Sequence, residues 1–159
     1  MKKGVAAAFF GIFLALSAEA SMISFYVIET GLPLDGGRNR HSMLWESAFM
    51  DVFFDAGYIV SNYPMLRLES KPEDNIIEVS GFDVDEAREG GIDYILIALL
   101  DYDSVLQPPG EISFFLFKVI QHEIIYEKRI PGKSYKSDRE TTADLKTIIR
   151  ELLPFINNF

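Results

Sequence analysis

The chain has 159 residues, of which 15 are Lys or Arg, 24 are Asp or Glu and none is Cys, and its formal net charge is −9. Because it has no thiol, cysteine-based metal sites, cysteine nucleophiles and a disulfide framework are all excluded. The acidic balance also excludes a general nucleic-acid binder, because an acidic surface repels phosphates.

Residues 1–20 have the pattern of a cleavable export signal. Lys2 and Lys3 precede an uncharged, mostly apolar run, and Ala18 and Ala20 match the small residues of a signal-peptidase site. The alternative is an uncleaved anchor, but the run is shorter than the about 20 apolar residues of a membrane-spanning helix. We therefore expect residues 21–159 to form a single domain, without an integral membrane segment, in the periplasm or secreted beyond it.

The first part of this domain has the pattern of a β-α-β unit. Residues 22–30 are rich in β-branched and aromatic residues and predict a strand. Apolar residues then recur at helical spacing, which predicts an amphipathic helix with Ser42 as its N-cap and Gly57 at its end. A short strand follows at residues 58–60. For residues 65–81 the sequence leaves two structures open, a loop or a weak edge strand.

The second part predicts a helix, three strands and a last helix. Asp83 can cap a short helix, and residues 92–100 form an almost continuous apolar run that is typical of a central strand. Residues 112–121 and 124–130 predict a hairpin. The last helix is expected to begin at Asp138 as N-cap and to be disturbed at Pro154. The predicted fold class is α/β, a mixed sheet of four to five strands with helices packed on it, in the order β-α-β-α-β-β-β-α.

Both faces of the first hairpin strand are apolar. Phe115, Phe117 and Val119 point to one face, and the opposite face carries Ile112, Phe114, Leu116 and Ile120. Two explanations follow: helices cover both faces, which we favour, or a partner covers one of them. In the second case Phe115, Phe117 and Val119 would form an apolar binding face.

No recognisable catalytic or metal-binding motif is present in the sequence. His41 and His122 lack partners at metal-ligand spacing and are expected to be exposed loop residues. Asp101, Asp103 and Glu111 are weak candidates for a cation site at a strand end, without the spacing of an EF-hand loop. We therefore expect neither an enzyme nor a bound cofactor.

A basic cluster stands out from the acidic background. It allows two interpretations, a solvated edge strand and loop, or a binding surface for an anionic partner. The cluster consists of Lys128, Arg129, Lys133, Lys136 and Arg139.

Three segments resemble exported envelope domains of the curli secretion-channel lipoproteins, the lipoprotein activators of penicillin-binding proteins and the amino-terminal domain of TolB. The resemblance lies in residues 53–60, 93–98 and 115–127 and spans most of residues 23–156. Two features depart from it: the absence of a lipobox cysteine, and His122-Glu123 where the family's hairpin often has Thr-Gly. The resemblance implies a non-enzymatic module that recruits or regulates envelope machinery.

The sequence therefore predicts a non-enzymatic periplasmic protein-interaction or regulatory module. Its expected partner is an envelope protein, and a homo-oligomer is compatible with the same features. The alternative is a periplasmic protein that binds a small ligand or cation.

Overall fold

The structure is a computed structural model that describes residues 20–72 and 76–157. The export signal predicted for residues 1–20 lies outside this part, except for its last residue. The strands are β1 (Met22–Thr30), β2 (Ile59–Asn62), β3 (Leu66–Arg67), β4 (Tyr94–Asp101), β5 (Glu111–Lys118) and β6 (Glu123–Pro131). The helices are α1 (Arg40–Asp55), α2 (Ile76–Ser80), α3 (Val84–Glu89), α4 (Asp138–Arg150) and α5 (Leu153–Asn157), and Val119–Gln121 form a 3₁₀ turn.

The strands form one mixed sheet in the order β2-β1-β4-β5-β6. β1 is parallel to β2 and β4, whereas β5 is antiparallel to both of its neighbours, β4 and β6. The two-residue strand β3 pairs with the far end of β1 and lies in the stretch that the sequence left open. The predicted α/β fold class and the central position of β4 are confirmed, with β3 raising the strand count to six among the described residues.

Helix α1 begins earlier than predicted. Asn39 is its N-cap, and the Asn39 side chain accepts a hydrogen bond from the backbone N–H of His41 at 2.8 Å. Ser42 is therefore not the N-cap but a buried residue of the first turn, with its Oγ 2.8 Å from the Tyr102 hydroxyl. At the other end, Gly57 adopts φ +89°, the left-handed conformation expected after a helix.

Helices α3 and α4 follow the predicted pattern with one correction, whereas α2 was not predicted, because its residues lie in the stretch that the sequence left open between a loop and a weak edge strand. Asp83 caps α3 through hydrogen bonds from two backbone N–H groups, as predicted. The N-cap of α4 is Ser137, whose Oγ accepts from the N–H of Glu140, so that Asp138 is the first helical residue and not the cap. The helix stops at Arg150, and a new short helix containing Pro154 follows.

Two hydrophobic cores lie on opposite faces of the sheet. The first is formed by α1, α4 and α5 against the sheet and contains Trp45, Phe49 and Phe114. The second lies under α2 and α3 and contains Ile97, Ala87 and other apolar side chains. The prediction that the chain's own helices cover both faces is therefore confirmed.

The hairpin is less regular than its sequence pattern. Ile120, which alternation assigned to a sheet face, lies in the 3₁₀ turn and is 72% exposed. A register shift between Leu116 and Phe117 leaves Ile125 without a direct partner in β5. Within residues 20–72 and 76–157, no helix is long and apolar enough to cross a membrane.

Candidate functional site

The apolar face predicted on β5 is buried by the chain itself. Phe115, Phe117 and Val119 are 9%, 4% and 0% exposed, and they belong to the core beneath α2 and α3. Phe82, in the turn between these helices, packs edge-on against Phe117 with ring centroids 5.8 Å apart. These three side chains are thus not a docking face, because α2, which the sequence did not predict, and α3 cover them.

The candidate cation ligands do not form a site. Asp101 accepts a hydrogen bond from the Thr30 hydroxyl at 2.7 Å, and Glu111 forms an ion pair with Lys71 that holds its pKa below the usual range. In the part of the chain that the structure describes, no group of three or more His, Asp or Glu side chains is arranged to hold a metal ion. Asp103 remains an exposed loop residue beside Gly110.

The two histidines occupy different environments. His122 lies in the turn before β6, exposed and with φ 54°, as predicted for a loop residue. His41 lies in the first turn of α1 and is half-buried, so its assignment to an exposed loop is wrong. Burial, followed by the neighbouring Arg40 guanidinium, lowers the pKa of His41, while Asp138 partly opposes this shift.

The predicted basic cluster is divided by the fold. Lys128 and Lys133 border an apolar cavity, and Lys136 and Arg139 border a groove that continues from it. Arg129 lies on the opposite face of β6 and forms an ion pair with Glu127. Four of the five predicted side chains therefore share one surface.

The cavity lies between the hairpin, α1 and α4 and has a volume of about 250 Å³. Three prolines, Pro108, Pro109 and Pro131, form one rim. No sequence signal marks this cavity, because its walls come from separated segments of the chain. The apolar walls are formed by Trp45, Ile112, Ile130, Leu145 and Ile148.

Ion pairs hold the lysines at the cavity mouth. Lys128 Nζ lies 2.6 Å from a carboxylate oxygen of Glu151, and this bond raises the pKa of Lys128. Lys133 Nζ lies 3.1 Å from Asp144, which also accepts a hydrogen bond from the Tyr135 hydroxyl. The Tyr135 bond, aided by Lys133, lowers the pKa of Asp144 against the opposing effect of its burial. Each of the two cations at the mouth is therefore paired with a carboxylate of the same chain.

The groove is wider and more polar than the cavity, with a volume of about 740 Å³. Both α1 and α4 begin here, at Arg40 and Asp138, and these two residues form an ion pair. The side chains of Lys136 and Arg139 are exposed and form no ion pair within the described residues. The cavity and groove share several wall residues, so they form one continuous depression: His41, Pro108, Tyr135 and Thr141.

A second surface feature lies on the outward face of α1. Met43, Met50 and Phe54 are 41%, 39% and 74% exposed. Together with Ser47 they follow the alternating four-three-four spacing of a helix-packing seam. We call Met43, Met50 and Phe54 the α1 stripe. The helical spacing that predicted α1 identified only the residues on its buried side. The α1 stripe was missed, although its spacing can also be read from the sequence.

Comparison with known proteins gives a family match and a fold match. A family model described as "Uncharacterised protein" matches residues 34–130. No curated protein matches the chain. Two structures of the PelC dodecamer from Paraburkholderia phytofirmans, one of them of a single-residue variant, are similar with TM-scores of 0.51 and 0.50. Their sequences are 12% and 13% identical to this chain. The matched region spans 86% of this chain in both cases, and 87% and 89% of the two PelC chains.

TolB from Acinetobacter baumannii is also similar, with a TM-score of 0.43 and 12% identity. The match covers 84% of this chain and 28% of TolB. This score is too low to support an argument about function, and the PelC match at its identity establishes a shared fold alone. The resemblance drawn from the sequence is thus supported at the level of the α/β fold.

Proposed function

The chain belongs to the family of uncharacterised proteins whose model matches residues 34–130. We propose that it is a non-enzymatic, exported envelope module that acts through protein contacts, and that it binds further copies of itself before any other partner. One observation carries this proposal, the exposed α1 stripe. Large apolar side chains that share one exposed face of a helix are typical of protein contact surfaces. The α1 stripe therefore takes the role of contact surface that the sequence analysis had considered for the β5 face, which is buried.

The occupant we propose for the stripe is a second copy of the chain. Two solved structures with the same fold are dodecamers, which supports a fold able to assemble with itself. Asp51 forms an ion pair with Lys146 of the same chain, whereas Asp55, next to Phe54, is exposed and forms no ion pair within the described residues. Two α1 helices facing each other would therefore bring uncompensated negative charge together at their Asp55 ends. We therefore expect a head-to-tail contact, in which the stripe of one copy meets a different surface of the next. Contacts of this type close into rings when the rotation allows it.

The periplasmic location belongs to the same proposal. It is supported by the signal-like pattern of residues 1–20 and by the resemblance to exported envelope domains. A second envelope protein would then bind the assembled module. The missing catalytic motifs make an enzyme the weaker hypothesis.

A photo-cross-linking experiment tests the contact directly. The chain without residues 1–20 is prepared with p-benzoylphenylalanine at position 54, mixed with an isotopically heavy copy and irradiated. We expect cross-linked peptides that join heavy and light chains. The control carries the same group at Gln121, an exposed residue of the hairpin turn remote from α1 in sequence. Cross-links confined to single chains at position 54, or equal inter-chain yields at both positions, would contradict the proposal.

A further inference from the structure

We propose that the cavity and the groove together bind a small amphipathic anion of about eight carbons, with its apolar tail in the cavity and its carboxylate in the groove. This site does not depend on the α1 stripe. It differs also from the strand-end residues Asp101, Asp103 and Glu111, which lie outside both linings.

The cavity has the properties of a site for an apolar group. Its walls are Trp45, Ile112, Ile130, Leu145 and Ile148, and the first two are 2% and 5% exposed. Small-molecule sites are typically concave and apolar, with a few polar groups that fix orientation. A volume of about 250 Å³ is small for such sites and selects a short tail.

The charge around the depression is opposite to that of the chain. Five Lys or Arg side chains and two carboxylates line the cavity and the groove. Two further carboxylates stand beside them: Asp144 pairs with Lys133, and Glu140 accepts from the backbone N–H of Lys136. The whole sequence, by contrast, has 24 acidic and 15 basic residues. A local excess of positive charge on an acidic protein selects an anion and repels a cation.

The geometry places the anionic head in the groove and not in the cavity. Lys128 and Lys133 at the mouth are already paired with carboxylates, whereas Lys136 and Arg139 have no ion pair within the described residues. The amino end of α1, whose first turn contains no acidic residue, opens onto the same groove. Its partial positive charge adds to that of these two cations.

The protein contains its own probe for this site. Trp45 is the single tryptophan of the sequence and forms part of the cavity wall. Its fluorescence can be titrated with octanoate, and with octanol as a neutral ligand that has the same number of carbon atoms. We expect a saturable change with both ligands, and an affinity for octanoate at least about tenfold higher, equivalent to about 1.4 kcal/mol.

Charge reversal tests the position of the head. The double variant K136E/R139E changes two exposed residues that form no ion pair within the described part of the chain, so it is expected to fold. It should remove the preference for octanoate while octanol binding persists. The matched control R129E/R150E makes the same charge change on the opposite face of β6 and at the far end of α4. It should retain the preference.

Filling the cavity tests the position of the tail. Ile148→Phe adds volume to a half-buried wall residue and should weaken the binding of both octanoate and octanol. Circular dichroism checks that this variant is folded. Two results would overturn the proposal: no saturable change in Trp45 fluorescence with octanoate at millimolar concentration, or equal affinity for octanoate and octanol. A preference that K136E/R139E and R129E/R150E reduce equally would overturn it as well.

Discussion

Arg67 and Glu29 form a buried ion pair that connects the two-residue strand β3 to the interior strand β1. Glu29 of β1 is 0% exposed, and Arg67 Nε of β3 donates to its Oε2 at 2.7 Å. The same guanidinium donates to the carbonyl oxygens of Pro33, Gly36 and Gly37 at 2.8, 2.9 and 2.9 Å. One side chain therefore fixes β3 and the loop before α1 at the same time.

Replacement of Arg67 should destabilise the fold strongly. In Arg67→Ala the Glu29 carboxylate would remain buried without its cation, and we expect a loss of about 3–5 kcal/mol in the free energy of unfolding. Urea denaturation followed by circular dichroism measures this loss. Arg88→Ala is the control, because the Arg88–Asp85 pair is exposed and contributes less than about 1 kcal/mol. Equal losses in the two variants would show that the buried pair has no special role.

Gly31 is predicted to tolerate no side chain. It adopts φ +75°, and a Cβ atom there would lie 2.0 Å from the carbonyl oxygen of Tyr102. The backbone strain alone is of the order of 1–3 kcal/mol, and the steric clash adds to it. We expect Gly31→Ala to lower the melting temperature clearly. In contrast, Gly37→Ala should have little effect, because its Cβ would meet nothing within 4 Å.

The stability of the protein should depend on the protonation of His41. Because its pKa is lowered in the folded state, the unfolded chain binds the proton more strongly, and protonation favours unfolding. The destabilisation is absent well above the unfolded pKa of about 6.5 and grows as the pH falls below it. The free energy of unfolding of the wild type should therefore decrease more between about pH 7.5 and 4.5 than that of His41→Gln. Parallel pH profiles for the two proteins would contradict this prediction.

The sequence predicted those parts of the fold that follow from local periodicity. Burial on one or two faces leaves a regular pattern of apolar residues in the sequence, and this pattern predicted three elements. They are β1, from its β-branched run, β4, from its apolar run, and α1, from the helical spacing of its buried residues. The Asn39 and Ser137 caps were misplaced by a few residues, since neighbouring Ser and Asp residues can serve the same role. Helix α2 has no comparable pattern, being only five residues long.

The candidate site could be predicted only in part. The basic cluster is local in sequence, and four of its five members share one surface. The cavity behind them depends on which distant segments the fold brings together, and Trp45 reaches it only because α1 packs against α4. The Glu29–Arg67 pair likewise joins residues that no spacing rule connects.

The central claim, that the chain acts through contacts with further copies of itself, is tested most directly by sedimentation velocity. The chain without residues 1–20 is measured over a concentration series in the micromolar range, in parallel with Phe54→Ser, which removes the most exposed member of the α1 stripe. We predict a sedimentation coefficient that rises with concentration for the wild type and remains at the monomer value for Phe54→Ser. A wild-type chain that stays monomeric throughout the series would contradict the claim.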